Sequence, residues 1–274
     1  MIELRQAALE ILALTDAQIK VSRLFGLFDD YQRQLVGLNI SATFSSQDLE
    51  LPGRPEKPEL IPPLQVPKRR MDSVEGRASL LHSLAHIEFN AMNLALDAIW
   101  RFPDMPKQYY EDWLQVAKEE SHHFTLVNEY IQTLGFKYGD FPAHNSLWEM
   151  VERTTDSVIA RMALVPRTME ARGLDAVPGI RDRFKQIKDD KAVEILEIIL
   201  HDEIGHVFIG NRWFNYLCGN SGLSPITAYR ELAKKYQAPT LRGPFNLVAR
   251  QQAGFTAEEL DLLRSLSDKR SQSV

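Results

Sequence analysis

Two short runs of the sequence combine carboxylate and imidazole side chains at a spacing that suits metal binding. Residues 202–206 (DEIGH) contain one Glu-x-x-His pair, and residues 119–123 (EESHH) contain two overlapping pairs. On a helix, residues i and i+3 share one face, so each pair can present an oxygen and a nitrogen atom to the same metal ion. One such pair alone is weak support, because surface pairs and hydrogen-bonded core pairs with this spacing are common.

Apolar periodicity distinguishes the pairs that face a protein core. Glu203 and His206 fall on the apolar stripe of one predicted helix, and Glu120 and His123 fall on that of another. His122, the alternative histidine, falls among polar positions. The apolar residues of the two stripes are Leu196, Ile199, Leu200, Val207, Gly210, Trp113, Val116, Ala117, Phe124 and Val127. Buried carboxylates and imidazoles are costly unless something compensates them.

Each inward pair is preceded by a predicted helix that carries one inward glutamate. Glu88 precedes Glu120 by 32 residues, and Glu170 precedes Glu203 by 33 residues. The chain therefore contains the same unit twice: a helix with one inward glutamate, then a helix with an inward Glu-x-x-His pair. Arg167 lies one turn before Glu170 and is an alternative partner for that carboxylate, which makes Glu170 the least secure member.

This set of residues matches a dimetal carboxylate site, in which two helices of a four-helix bundle each supply a Glu and two each supply Glu-x-x-His. The predicted metal ligands are Glu88, Glu120, His123, Glu170, Glu203 and His206. Two divalent cations would balance the four carboxylates, which would otherwise repel one another in a core. Oxygen and nitrogen ligands favour two iron ions, and a manganese/iron pair or two manganese ions are the alternatives.

The elements that must position these residues are long helices. Apolar periodicity, caps and breakers predict four of them, at about residues 73–102, 107–134, 146–172 and 189–218, with Ser73 as an N-cap. Alternating β patterns are almost absent, so the predicted fold class is all-α. The 12 residues from Gly135 to Ser146 are long enough for a crossover between parallel helices, and a simple up-down bundle remains open.

Three regions are predicted along the chain. Residues 73–218 form the dimetal four-helix bundle, preceded by an N-terminal helical region with a proline-rich strap at residues 1–72 and followed by a C-terminal helical extension at residues 219–274. Six of the 14 prolines fall between Pro52 and Pro67. Proline fixes φ and lacks a donor, so the strap should be extended. Its interleaved apolar residues favour a segment that packs on the bundle, a candidate cover for the site, over a linker.

Composition excludes several classes of protein. The 274 residues are 44% hydrophobic and 25% charged, which is typical of a globular chain. A net charge of −5 gives no basic excess for nonspecific nucleic-acid binding. The single cysteine, Cys218, excludes an intramolecular disulfide and a cysteine-rich metal site. The N-terminal residues lack the order of a signal peptide, and no apolar run could span a bilayer, so we expect a cytoplasmic protein without a membrane partner.

The helix order and the runs HxE, EExxHF, EARG and DExxH resemble the ferritin-like superfamily. More closely, the runs GRASLLHSLAHIEFNAMNLALDA, MEARGLDAVPG and HDEIGHVFIGNRWF resemble the bacterial domain-of-unknown-function family 455 over nearly the whole chain. More distantly, the site is similar to that of diiron carboxylate monooxygenases, including the tRNA hydroxylase branch. The resemblance implies a ferritin-like bundle with a two-metal carboxylate site and no established substrate.

The same resemblance implies two residues that orient the metal-bound histidines. In diiron oxygenases, the residue before the inward glutamate commonly hydrogen-bonds the histidine of the opposite helix. Asp202 would thus orient His123, and Glu119 would orient His206, since such a bond sets the tautomer and basicity of the ring. A solvent-facing charge is an equally good interpretation of Glu119.

The leading functional hypothesis is an oxidoreductase, an oxidase or monooxygenase that activates O2 to oxidise an organic substrate. A small molecule or a modified nucleoside would be the substrate, an external electron donor would be needed for an oxygenase, and a homodimer is open. The alternatives are a ferroxidase or iron-handling protein and a nonenzymatic metal-bound scaffold. A storage cage is disfavoured because about 70 residues precede the predicted bundle and about 55 follow it. No catalytic side chain and no organic cofactor are assigned.

Overall fold

Helices make up nearly all the regular structure in the computed structural model, which describes residues 2–67 and 69–271 and the side chains of residues 2–67 and 69–266. The predicted all-α class is confirmed. Contacts within the chain group its residues into two compact units, Met1–Trp148 and Glu149–Val274. The predicted regions 1–72, 73–218 and 219–274 stay a prediction, and their residues 1, 68 and 272–274 lie outside the description. Across the described chain, no helix has both the length and the apolar character needed to span a membrane.

The first unit begins with two short helices and a small parallel strand pair. Strand β1 (Ile2–Glu3) leads into helix α1 (Leu4–Leu12), and helix α2 (Ala17–Gln32) leads into strand β2 (Val36–Gly37), with Ile2 opposite Val36. The Asp16 carboxylate caps α2 by accepting a hydrogen bond from the Ile19 amide at 2.8 Å. Helix α1 packs on α2 and on the first long helix of this unit.

That long helix, α3 (Val74–Arg101), pairs with α4 (Lys107–Thr133) after a short turn at residues 102–106. Ser73 is the N-cap of α3, as predicted, because its hydroxyl accepts a hydrogen bond from the Gly76 amide at 3.0 Å. Almost every side chain between residues 88 and 100 is buried, which makes α3 the central helix of the unit.

A buried ammonium group ties the proline-rich segment to this helix. Lys20 Nζ donates hydrogen bonds to the carbonyl oxygens of Leu12 and Gly53, at 3.0 and 2.8 Å, and to Asn93 Oδ1 at 2.7 Å. Further along, the Ile61 amide donates to the Ala143 carbonyl at 2.9 Å. The segment is therefore held by hydrogen bonds at Gly53 and at Ile61. Residues 51–67 are irregular apart from a 3-10 turn at Pro63–Gln65 and an isolated bridge between Leu60 and Ala143.

The predicted single helix over residues 146–172 is wrong. The structure has α5 (Ser146–Arg153), α6 (Val158–Leu164), a π-helical segment (Val165–Glu170) and α7 (Ala171–Gln186). The side chain of Ser157 caps α6 and marks the first break. Pro166 has no amide hydrogen, so regular α-helical bonding cannot continue through this position, and the turn widens into the π segment.

The predicted helix end at Gly173 is also wrong, because α7 continues through Gly173 and Pro178. Pro178 cannot donate to the Leu174 carbonyl four residues earlier. Asn246 Nδ2 donates to that carbonyl instead, at 3.2 Å. A side chain 72 residues away in sequence thus satisfies the acceptor that the proline leaves in the helix.

The second unit is completed by α8 (Asp190–Asn220), α9 (Pro225–Lys235), α10 (Leu247–Gln252) and α11 (Ala257–Ser271). Helices α7, α8, α10 and α11 share one apolar core. Its buried members are Ala171, Leu174, Val207, Ala249, Ala253, Phe255, Leu260 and Leu263. The core includes Val207 of α8 and Ala171, the residue that follows the π segment. These two elements carry the remaining predicted ligands.

Helix α8 approaches the π segment at a glycine. A Cβ atom on Gly210 would lie 2.5 Å from the Cβ atom of Pro166, which is too close for any side chain. On the same helix, a Cβ atom on Gly205 would have no neighbour within 4 Å. Substitutions at the two glycines can therefore distinguish the effect of a close helix approach from the effect of intrinsic helix propensity.

We expect Gly210→Ala to destabilise the protein by about 1–3 kcal/mol, since the new methyl group must push α8 away from Pro166. Gly205→Ala is the matched control and should stabilise by up to about 1 kcal/mol, because alanine favours a helix over glycine. Urea unfolding followed by circular dichroism measures both. Equal changes in the two variants would contradict the close approach.

Candidate metal centre

In the first unit, α3 and α4 bring Glu88, Glu120 and His123 together. All three side chains are buried, with exposed fractions of 1%, 0% and 0%. Each lies on the apolar face of its helix, and the two faces meet because α3 and α4 pack together along their length. The i, i+3 spacing of Glu120 and His123 places both on the side of α4 that meets α3.

The three side chains converge at ligand distance. His123 Nδ1 lies 3.4 Å from Glu88 Oε2 and 3.3 Å from Glu120 Oε2. One ligand atom from each residue lies within 4.8 Å of those of the other two. Two carboxylate oxygens and one imidazole nitrogen form a donor set that fits a divalent cation, so this cluster could hold a metal ion.

The electrostatics of the cluster also fit a cation. Burial, followed by the negative charge of Glu120, raises the pKa of Glu88 from 4.5 to about 8, although His123 acts in the opposite direction. A carboxyl in this environment binds a proton at neutral pH when no metal competes with the proton. A bound cation would favour the ionised form instead, because an opposite charge at this distance stabilises the carboxylate.

The two adjacent histidines of α4 have opposite environments. His123 is fully buried, whereas His122 is exposed. This is the arrangement that the apolar periodicity of α4 predicts. The assignment of His123 rather than His122 as a metal ligand stays a prediction.

In the second unit, α8 and the π segment carry the other three predicted ligands. Glu203 and His206 are 6% and 1% exposed, and one ligand atom of each lies within 4.8 Å of the other. Glu170 is 6% exposed and is the last residue of the π segment. Segments of this kind are rare and occur frequently at functional sites, where they redirect a side chain that a regular helix would point elsewhere.

Arg167, the partner for Glu170 that the sequence offers, bonds to other residues. Its guanidinium donates to Asn211 Oδ1 at 2.6 Å and pairs with the Glu259 carboxylate. The guanidinium thus has other partners, which weakens the interpretation of Glu170 as half of an Arg167 ion pair.

Glu119 and Asp202, the residues expected to orient the histidines, are both half-buried. The Glu119 carboxylate accepts a hydrogen bond from Gln115 Nε2, one turn earlier on α4. Such an i,i+4 bond also occurs on exposed helix faces, so both interpretations of Glu119 stay open. The orienting roles of the two residues stay a prediction.

A buried polar network on another face of α3 includes one residue that the sequence did not reveal. Tyr138 OH lies 2.8 Å from His86 Nδ1, and the Tyr138 ring stacks on the His82 ring with 5.4 Å between centroids. Burial lowers the pKa of His82 to about 4 and that of His86 to about 3, so both rings are neutral at pH 7. Tyr138 lies in the irregular crossover after α4, where no periodicity marks an inward position.

Comparisons with known proteins identify a family for the chain. Residues 14–261 match the family model described as "Protein of unknown function (DUF455)". An uncharacterized protein of Haemophilus influenzae is 50% identical over 237 residues, which cover 84% of this chain and 82% of that relative. No solved structure matches the chain. The chain therefore belongs to the DUF455 family, and this part of the resemblance is confirmed.

The raised pKa of Glu88 predicts the pH dependence of the metal-free protein. The folded state holds a proton that the unfolded state releases above pH 4.5, so the free energy of unfolding should fall as pH rises from about 4.5 to about 8. The contribution of Glu88 is at most about 1.4 kcal/mol per pH unit. Glu88→Gln should remove this part of the slope and leave the variant more stable than the wild type at pH 8.

Urea unfolding at several pH values, with chelator present, measures this slope. Glu129→Gln, an exposed change on α4, is the matched control and should keep the wild-type slope. Identical slopes for Glu88→Gln and the wild type would contradict the assigned environment.

Burial also predicts which histidine of α4 matters for metal content. His123→Ala should lose at least half of the bound metal, because it removes the one nitrogen donor of the Glu88 cluster. His122→Ala should retain the wild-type content, since the His122 side chain is exposed. Elemental analysis of proteins purified in parallel measures both, and a loss confined to His122→Ala would mean that the other face of α4 binds the metal.

Proposed function

We propose that this member of the DUF455 family is a ferritin-like dimetal carboxylate protein that uses dioxygen to oxidise an organic substrate. In this proposal, two glutamates and two Glu-x-x-His pairs hold two metal ions. The six ligands are Glu88, Glu120, His123, Glu170, Glu203 and His206.

The buried Glu88–Glu120–His123 cluster carries the proposal. Two carboxylates within 3.4 Å of one imidazole nitrogen, all at most 1% exposed, form an unfavourable group in a core unless protons or a cation neutralise them. A protein that needed only packing at these positions would be more stable with apolar side chains. A bound metal ion would explain why all three groups are present, because both carboxylates would coordinate the ion instead of repelling each other.

The repetition of the unit supports a second ion. The spacing of 33 residues between Glu170 and Glu203 nearly repeats the 32 residues between Glu88 and Glu120. The second set is buried as the first one is. Two Glu-x-x-His pairs and two further glutamates match the known ligand set of dimetal bundles.

The donor set favours iron. It offers four carboxylates and two imidazoles, and the only cysteine of the chain, Cys218, is not among them. Such hard and borderline donors suit iron or manganese, with a manganese/iron pair as an intermediate case. When bound, two adjacent iron ions would supply the electrons with which dioxygen is reduced while an organic substrate is oxidised.

The protein itself would fix, orient and shield the ions. Ligands on the long helices α3, α4 and α8 are rigid, and the π segment sets the direction of Glu170. Asp202 and Glu119 would hydrogen-bond the rings of His123 and His206, which keeps the coordinating nitrogens unprotonated. The burial of the ligands keeps bulk water away, which strengthens the electrostatic interactions of the site and limits side reactions.

A small molecule or a modified nucleoside remains the proposed substrate class, and turnover as an oxygenase would require an external electron donor. The proposed location is the cytoplasm, where reduced iron and electron donors are at hand. A homodimer is compatible with these requirements and is not needed by any of them.

The first test measures how many ions the protein holds. Anaerobic reconstitution with ferrous iron should give two ions per chain in the wild type and at most one in Glu203→Ala and in His206→Ala. His201→Ala is the matched control, because His201 is exposed on the same helix. Elemental analysis after gel filtration gives the counts, and full occupancy in both ligand variants would refute the assignment.

The second test separates oxidation of a substrate from oxidation of the metal. Dioxygen uptake by the ferrous protein should become catalytic when a reductant and a substrate are supplied from a metabolite screen. Uptake that stops once the iron is oxidised, under every condition of the screen, would favour a ferroxidase. A natively purified zinc protein that is inert to dioxygen would exclude the oxidoreductase.

A further inference from the structure

A cavity of about 350 Å³ lies within the second unit. It is lined by the π segment, α9, α10, α11 and the irregular segment before α10. This volume falls at the lower end of the range found for small-molecule sites. The cavity uses none of the six proposed metal ligands.

Most of the cavity wall is apolar. The side chains that provide this surface are Ile226, Tyr229, Leu241, Phe255, Leu262 and Leu263. They come from four separate elements, so the apolar surface is built by the tertiary fold rather than by one helix face. The apolar body of a ligand would be stabilised here by the burial of its surface away from water.

The wall also contains a buried guanidinium group, that of Arg167, beside its apolar side chains. Arg167 lines the cavity at 5% exposure and lies within 5.5 Å of the ring centroids of Phe214, Tyr229 and Phe255. Its terminal nitrogens are taken by Asn211 and Glu259, but its Nε–H has no acceptor among the described residues. These bonds and the surrounding rings fix the position of the Arg167 side chain in the wall.

A third arginine, Arg230, gives the cavity wall its net charge. The buried cavity residues Arg167 and Arg250 are each paired with a carboxylate, that of Glu259 and that of Asp175. Arg230 also lines the cavity but is exposed, and it forms no ion pair with any residue that the structure describes. The uncompensated charge on the wall is therefore positive.

We propose that this cavity binds an organic acid with an apolar body. The carboxylate of the ligand pairs with the Arg230 guanidinium, and the apolar body lies against the wall between α9 and α11. A ligand cation is disfavoured because it would meet the uncompensated charge of Arg230. A neutral ligand would use the apolar wall alone and would leave that charge without a partner.

This site does not depend on the proposed metal chemistry. Its residues belong to one unit, and its ligand would be recognised in the presence or absence of bound metal. The π segment is nevertheless shared, because Arg167 lines the cavity and Glu170 ends the same segment. The metal-loaded full-length protein is therefore the form to test.

The test compares three probes of equal chain length that differ in head-group charge: octanoate, octanol and octylamine. Isothermal titration calorimetry at pH 7 and fixed ionic strength should show octanoate binding at least tenfold more tightly than octylamine and more tightly than octanol. Equal affinities for the three probes, or preference for octylamine, would overturn the proposal, as would the lack of saturable octanoate binding.

Two kinds of variant locate the binding. Arg230→Gln should reduce octanoate affinity to the level of octanol, whereas Arg183→Gln, the same change at an exposed position of α7, should leave it unchanged. Ser265→Trp should weaken octanoate at least tenfold, because Ser265 lines the cavity from an exposed position and an indole there would fill the space.

Ile226→Trp serves as a second filling variant if Ser265→Trp does not fold, as judged by its thermal transition. Wild-type octanoate affinity in a folded filling variant would place the binding elsewhere and overturn the proposal. An equal loss in Arg183→Gln and Arg230→Gln would show a nonspecific charge effect and would overturn it as well.

Discussion

The main constraint on the α3–α4 pair is the burial of two carboxylates against one imidazole. Glu88, Glu120 and His123 occupy positions at which a stable core would carry apolar side chains, and burial holds the pKa of Glu88 far above its usual range. Such a group is tolerated only when a proton or a cation supplies the missing positive charge. The long helices α3 and α4 suit this requirement, because ligands that share a small volume must be held on rigid elements.

In the second unit, an irregular segment rather than a regular helix positions the predicted ligand Glu170. Pro166 prevents regular helical bonding, and the chain responds with a π segment that ends at Glu170. The segment is held by the close approach of Gly210 to Pro166 and by the bonds of Arg167 to Asn211 and Glu259. A local departure from helical geometry is thus stabilised by contacts from α8 and α11, which indicates that the position of Glu170 is maintained at some cost.

Features with a helical period were predictable from the sequence, and features made by distant contacts were not. The all-α class and the burial of residues such as His123 follow from apolar stripes that repeat every three to four residues. The partner of Arg167 is Glu259, which lies 92 residues later and gives no local signal, whereas Glu170 lies one turn away and was the obvious candidate. Likewise, α7 continues through Pro178, where Asn246 binds the carbonyl group that the proline leaves without a donor. Glycine and proline positions alone predicted an earlier helix end, which the structure does not have.

The three hydrogen bonds of Lys20 have a consequence for how the first unit forms. Their acceptors belong to Leu12, Gly53 and Asn93, so the ammonium group is satisfied only when α1, the proline-rich segment and α3 are all in place around it. A partly assembled intermediate would contain a desolvated charge with one or two missing acceptors, which is unfavourable. These three segments should therefore open and close together, as one cooperative unit in native-state hydrogen exchange, rather than fray independently.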